Sequence, residues 1–498
     1  MYNSKKLKKM KRYIKILIIA LWLVPFYACE DFLDIDPQSQ PIAIDKGDVN
    51  DTVIYETAAQ FEAALGGVYS DFRNEYWELD LFVNADGQSD DAYAGADNPA
   101  NFQIDEMRID ATNSNVSRDW AYLYGTIGRA NVIINNVFEI NEAGFTEQRK
   151  GEIKGEASFI RAYNYFQLVQ LWGDVPLQLK EVTTVSAELL PVIYPQMFPA
   201  RSTQEEVYTQ IIKDLEYALN TVPTTAVDKG YVTKGVVNAM LAKVYATKVP
   251  PDYDKVIQYC DAVISGPYSL LPEYDMLWNN ENENSSEAIF EINYEGTSSS
   301  GNWGASMFRG TDWKKFNTPS HDLVAAFDSE GDVIRKNSSI EFQDVSGKWG
   351  DPYWPQEHYP FGNKYRNISS PSPQNYIFLR LADIILLKAE ALNEKGDVSG
   401  AKDLVDQIRA RVDLPGTPAT TQEAMRLAIE KERRLELAFE GHRWFDLKRT
   451  GRALEVMSNV KGPDGESMGY QVNENKLLWP IPQSELDNNG NLVQNPGY

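Results

Sequence analysis

The chain has 498 residues, of which 43% are hydrophobic and 24% charged. That is enough apolar material for a sizeable core, and it excludes global disorder and collagen-like composition. With 48 basic and 72 acidic side chains the net charge is −24, which excludes general binding to nucleic acid, since phosphate neutralisation needs clustered Lys and Arg.

The first 28 residues form an address label. Seven Lys or Arg fall before residue 16, and IKILIIALWLVPFYA follows, apolar except for Lys15. At about 15 residues this run is short for a bilayer span of about 20, and it reads as the n-region and h-region of a signal peptide. It ends in Ala28-Cys29. A small residue before a cysteine at that place suits lipoprotein maturation, with Cys29 carrying the lipid as the new N-terminus. The rival reading is a buried free cysteine. Removal of residues 1–28 leaves 41 basic and 72 acidic residues, a net −31. Such a body will not adhere electrostatically to an anionic membrane, so attachment falls to the acyl chains. Residues 29–50 are polar and turn-rich and read as a tether, and 51–498 as one body.

Helical spacing then dominates. Phe61, Ala64 or Leu65, and Val68 line one face of residues 57–77. Residues 86–93 break the pattern with Asp86, Asp90, Asp91 and Tyr93. Their oxygens suit calcium, but the EF-hand spacing is missing. The run reads as a solvated loop whose carboxylates and amides can bond sugar hydroxyls. Residues 117–140 are helical again. The strongest helix of the first half runs over 146–172, places Phe159, Tyr163, Phe166 and Val169 on one face, and stops at Gly173 with Pro176 beyond. Arg161 and Asp174 are expected to pair or cap within the scaffold. Ser202 to Glu205 reads as a capping box opening the next helix. Two helix–turn–helix pairs follow, 234–248 with 253–264 and 382–397 with 400–412. The spacing from Leu392 to Ala401 is that of tetratricopeptide (TPR) units. Cys260, on an amphipathic stretch, reads as a buried small hydrophobe.

Between about 270 and 375 the periodicity fades. From Tyr294 to Tyr365, 13 of 72 residues are aromatic, against 12% overall. A long irregular insertion is usually functional or disordered, and this aromatic content argues for the former. Short strands such as 287–294 fit here. Trp303, Trp313, Trp349, Tyr353 and Trp354 stand in glycine- and proline-rich context, with Arg309 between two of the tryptophans. Sugar rings stack their C–H faces on such side chains, and these residues are the main ligand-binding candidates. Residues 430–449 hold the densest charge cluster. Glu430 and Arg434 are spaced as an intrahelical ion pair, and the interleaved Leu435, Leu437, Phe439, Trp444 and Phe445 look like core. The block reads as a charge network pinning the C-terminal helices.

Four blocks together resemble the SusD/RagB family of outer-membrane nutrient-binding lipoproteins: EASFIRAYNYFQLVQLWGDVPL (156–177), ARSTQEEVYTQIIKDLEYAL (200–219), the pair RLADIILLKAEALNEKGD (380–397) and AIEKERRLELAFEGHRWFDLKRTG (428–451), and the C-terminal LWPIPQSEL with NLVQNPGY. The start ACEDFLDIDP fits the same picture. The resemblance implies a mainly α fold in which four TPR-like helix pairs form a scaffold and long loops with a few short strands carry the binding face. It implies a surface-facing, lipid-anchored outer-membrane protein that passes oligosaccharides to a SusC-like TonB-dependent transporter. Family ligand residues vary, so the candidates above rest on composition and loop placement.

No cofactor or metal is expected. Two cysteines without CxxC exclude a disulfide scaffold and a cysteine-rich zinc site, and His321, His358 and His442 leave little for a histidine-based centre. GxxxxGK[ST] and HExxH are absent. Non-catalytic capture of a glycan is the leading reading. The rivals are a peptide ligand on the same architecture, a secreted glycoside hydrolase, and a scaffold that binds only proteins.

Overall fold

The computed structural model describes residues 55–95, 98–181, 190–309 and 315–498. The expected leader, lipid attachment at Cys29 and the tether lie outside the described residues, as does Trp313.

The fold is mainly helical. Helix α1 (Ala58–Ser70) begins on a capping box in which Thr57 accepts from the Gln60 amide. Helices α2 (Ser114–Asn136) and α3 (Glu147–Trp172) follow. Helix α3 ends as its sequence predicts, at Gly173 with φ +76°, a backbone region that glycine enters without steric cost. Helix α4 (Gln204–Thr221) corrects the expected cap by one residue: Thr203, not Ser202, is the N-cap, and its box partner is Glu206. The two expected hairpins are present as α5 (Lys234–Thr247) with α6 (Tyr253–Ile264), and α8 (Leu381–Glu394) with α9 (Val398–Ala410). Between them lies α7 (His321–Glu330), and the chain continues into α10 (Gln422–Glu436) and α11 (Arg443–Arg449). The scaffold is a row of neighbours: α2 on α3, α3 on α4, α4 on α5, α5 on α6, α6 on α8, and α8 on α9 and α10. Among the described residues no helix is long and apolar enough to cross a membrane.

The main apolar core runs from Phe61 to Leu492 and includes Cys260. At one end Trp172 meets Trp120 and Trp479 edge-on, with ring centroids at 5.2 and 5.4 Å. The C-terminal segment is stitched there by backbone. Trp479 N donates to Leu171 O, Trp172 Nε1 to Pro480 O, and Asn495 Nδ2 to the carbonyls of Trp172 and Trp479. Arg161 and Asp174 hold scaffold roles as expected. Arg161 pairs with Asp214 at 2.6 Å, and Asp174 accepts from the Gln204 amide at the start of α4.

The 430–449 block does pin helices, through a buried network. Arg380 pairs with Glu436 and Glu440, Arg335 with Glu432 and Glu436, and Lys364 with Glu440. The expected Glu430–Arg434 pair is not made. Arg434 turns to Asp90, Asp91 and Asp322, while Glu430 pairs with Arg443 and Arg452. Three carboxylates surround Arg434 there, and two arginines already hold the half-buried Glu430.

Among the described residues six short strands make three two-stranded antiparallel sheets: β1 (Ala92–Tyr93) with β3 (Thr318–Pro319), β2 (Ala288–Ile292) with β6 (Tyr376–Arg380), and β4 (Ile340–Gln343) with β5 (Tyr359–Gly362). The loop from 344 to 358 joins β4 to β5 and holds three of the aromatic candidates.

Candidate functional site

The acidic run is the largest departure from the sequence reading. Residues 76–95 are all buried, wound from Tyr76 to Gly87 largely as wide π-helical turns, a rare geometry that re-aims side chains. Asp86 accepts from the Gly441 amide. Burial, with Asp91 nearby, pushes its carboxyl well above the usual range. Asp90 takes two hydrogen bonds from Arg443. Burial alone would raise its pKa, but Arg434 and Arg443 outweigh that and hold it at about 2. Asp91 pairs with Arg434, and burial keeps its pKa raised, to about 6. These three carboxylates are internal struts, with no solvated surface to offer sugar hydroxyls. Among the described residues no group of three or more His, Cys, Asp or Glu could hold a metal ion.

Tyr93, at the end of the same run, does reach the loop aromatics. Its ring meets Tyr353 edge-on at 4.8 Å. Trp349 and Tyr353 are half-buried at the edge of a cluster with Tyr93, Val345, Trp354, Tyr359 and Phe361. The Lys315 ammonium lies 4.2 Å from the Trp349 ring centroid, and Tyr359 meets the Trp349 ring edge-on at 4.6 Å. Trp354 is different. His321 stacks on its face at 3.5 Å, its Nε1 donates to Pro319 O, and it is 8% exposed. Trp354 therefore supports the face from beneath and offers no free ring.

The remaining candidates lie apart from this cluster. Trp303 is half-buried against the main core, its backbone N–H directed at Glu78 Oε2. Burial raises the Glu78 carboxyl to about 8. Arg309 is tied to Glu341 on β4 and to the Arg366 carbonyl.

Beside the aromatic cluster opens a narrow cleft. Tyr93, His321 and Tyr353 form one wall, and Lys461, Met468 and Tyr470 of the turn at 460–470 form the other. None of the lining residues is a carboxylate. Behind the second wall Tyr470 donates to Asp105 at 3.1 Å, and Asp105 also accepts from the Ala94 amide. Burial lifts the Asp105 pKa to about 8, so it is mainly uncharged at neutral pH. Phenol and indole faces with adjacent hydroxyls and one lysine can stack an apolar ring face and bond its polar edge.

Sequence reasoning missed Lys315, His321, Asp351, Tyr359 and Tyr470. Only Asp351 carried a local signal: it precedes Pro352 and accepts from the amide two residues on, an Asx turn.

The comparisons fit this architecture. Residues 307–498 match the model of the SusD family, and residues 31–246 match that described as "Starch-binding associating with outer membrane". SusD-like protein P2 of Formosa agariphila is 29% identical, with 98% of this chain and all of that protein covered. Starch-binding protein SusD of Bacteroides thetaiotaomicron is 24% identical over 73% of this chain and 76% of its own length. Among solved structures, a laminarin-binding SusD-like protein superposes with a TM-score of 0.71 at 28% identity, covering 89% of this chain and all of the other.

Proposed function

Because this chain belongs to the SusD family, we propose that it binds an oligosaccharide on the face formed by Trp349 and Tyr353, with Tyr93 packed behind them, beside the adjoining cleft. The observation that carries this reading is the convergence of the half-buried rings of Trp349 and Tyr353 with the buried Tyr93 of a distant segment, Tyr93 and Tyr353 lining a cleft without carboxylates. The laminarin-binding neighbour and the starch-binding relative support a glycan as the ligand class. Capture is by stacking and hydrogen bonding, without covalent chemistry. Glycoside hydrolysis uses two carboxyl groups about 5–10 Å apart across the scissile bond, and the cleft lining supplies none.

In this reading the protein is a surface lipoprotein held at the outer membrane through Cys29, and it hands its ligand to a SusC-like TonB-dependent transporter. The outer-membrane description of the matching family supports the location. Cys29→Ala should release the protein from the membrane fraction, and retention there would count against the anchor.

Calorimetry of the full chain in detergent, against laminari-, malto- and other oligosaccharides, tests the ligand. Trp349→Ala or Tyr353→Ala should weaken binding about tenfold or more, which corresponds to about 1.4 kcal/mol or more. Binding of peptides with no glycan bound would overturn the sugar reading, and reducing-end release from a glycan would overturn the non-catalytic one.

A further inference from the structure

The aromatic face has a single polar hub. The Asp351 side chain is 1% exposed. Its Oδ1 accepts from the Tyr93 hydroxyl at 2.7 Å, the Tyr353 amide at 2.9 Å and the Trp354 amide at 3.3 Å. Its Oδ2 accepts from the Lys315 ammonium at 2.8 Å and the Tyr359 hydroxyl at 3.2 Å. The donors come from four segments: β1, the stretch before β3, the β4–β5 loop and β5. A carboxylate offers about four lone-pair directions, and five donors occupy them.

The two oxygens do different work. Oδ1 fixes the backbone that aims Tyr353 and the hydroxyl that orients Tyr93. Oδ2 holds Lys315, whose ammonium lies over the Trp349 ring. Lys315 has little room to move on the other side. A Cβ added at Gly95 would stand 2.7 Å from Lys315 Cγ and 2.8 Å from its carbonyl oxygen, and the Gly95 amide donates to that carbonyl at 2.9 Å.

We propose that Asp351 is the positioning residue of the ligand face: it touches no ligand itself and sets the rings of Tyr353 and Tyr93 through one oxygen and Trp349 through Lys315 with the other. The binding arm of this proposal rests on the glycan reading above; the geometric arm does not. In Asp351→Asn the Oδ1 contacts can persist, while an amide NH₂ replaces Oδ2 against the ammonium. The half of the face that contains Trp349 should loosen selectively.

The test is a double-mutant cycle with hydrogen exchange on the full chain. Asp351→Asn should weaken binding of the best oligosaccharide about tenfold in the wild-type background and less than about twofold in Trp349→Ala, because the two act in series. Equal losses in both backgrounds would overturn the series arrangement. Independently of any ligand, Asp351→Ala should speed exchange of the Tyr353 and Trp354 amides about tenfold or more while the α3 amides stay protected. Unchanged exchange would overturn the proposal. Should Asp351→Ala not fold, Lys315→Met, which leaves the Oδ1 contacts in place, joins the cycle instead: it should reproduce the Asn pattern, and equal losses in both backgrounds would overturn the proposal. If no glycan binds the wild type, the glycan reading fails and the exchange result alone decides the role of Asp351.

Discussion

Asp90 and Arg443 stand 353 positions apart in the chain and share two hydrogen bonds of 2.7 and 2.9 Å, both side chains buried. This pair joins the wound segment under the aromatic face to the first turn of α11. Arg434 makes the same reach, to Asp90 and Asp91.

Breaking that pair from the cationic side should be costly. Arg443→Met leaves the buried Asp90 carboxylate with Arg434 as its remaining partner. Removing one member of a buried pair typically costs about 3–5 kcal/mol. Urea unfolding of the variant should show a loss of that order, and a loss under about 1 kcal/mol would mean that Arg434 suffices alone.

Asp105 predicts a pH dependence. Its folded pKa, raised by burial to about 8, lies above the unfolded value of about 4. The folded form therefore holds a proton that the unfolded form releases. Its contribution is fully present below about pH 4 and declines as pH rises to about 8, after which the loss is complete. Asp105→Asn mimics the protonated carboxyl and cannot ionise. Stability measured from pH 5 to pH 8 should fall less steeply in this variant than in wild type. An unchanged slope would show that Asp105 is already ionised in the folded protein.

Trp354 and Trp349 should separate in their effects although only five positions apart. Trp354→Ala empties a site capped by His321 and removes the donor to Pro319 O, so a stability loss of about 3–5 kcal/mol is expected. Trp349→Ala, on a half-buried ring, should lower ligand affinity with a smaller shift in melting temperature. Thermal unfolding and calorimetry on both variants decide this, and an inverted pattern would show that the ligand meets Trp354.

Cys260 predicts silence. It is buried in the core on α6, and burial pushes its thiol well above the ordinary range. In a Cys29→Ser background it is the one thiol of the chain. A disulfide reagent should find none under native conditions and one equivalent in denaturant. Rapid native labelling would mean that α6 opens readily.

What was legible in the sequence was what local physics controls. The extent of α3 follows from its apolar spacing and Gly173, and the hairpins α5/α6 and α8/α9 from their amphipathic patterns. The 430–449 network was legible as structural, because interleaved Leu and Trp mark a buried face. Its partners were not, because Arg434 chooses Asp90 and Asp91 from another part of the chain. The same reason hid the fate of Asp86, Asp90 and Asp91: a polar run reads as solvated unless its distant arginines are known. Within the site, composition drew attention to Trp349 and Tyr353 and the acidic run to Tyr93, and the three do converge. It did not separate Trp354 from them, since only His321 stacked on its ring shows that this indole is already occupied.

The stitching of residues 479–495 onto the end of α3 has a consequence for how the chain comes into being. Helix α3 is complete by residue 172, yet one of the walls that cover Trp172 is made from the last 20 residues of the chain. During synthesis, the first half emerges with the Trp172 indole covered by Trp120 but open on the side of Trp479, and with its N–H lacking the Pro480 acceptor. It must wait for the C-terminus before that end of the core can close. The order is vectorial, with closure governed by the last segment to arrive, and an unfinished chain stays open and recognisable as unfinished.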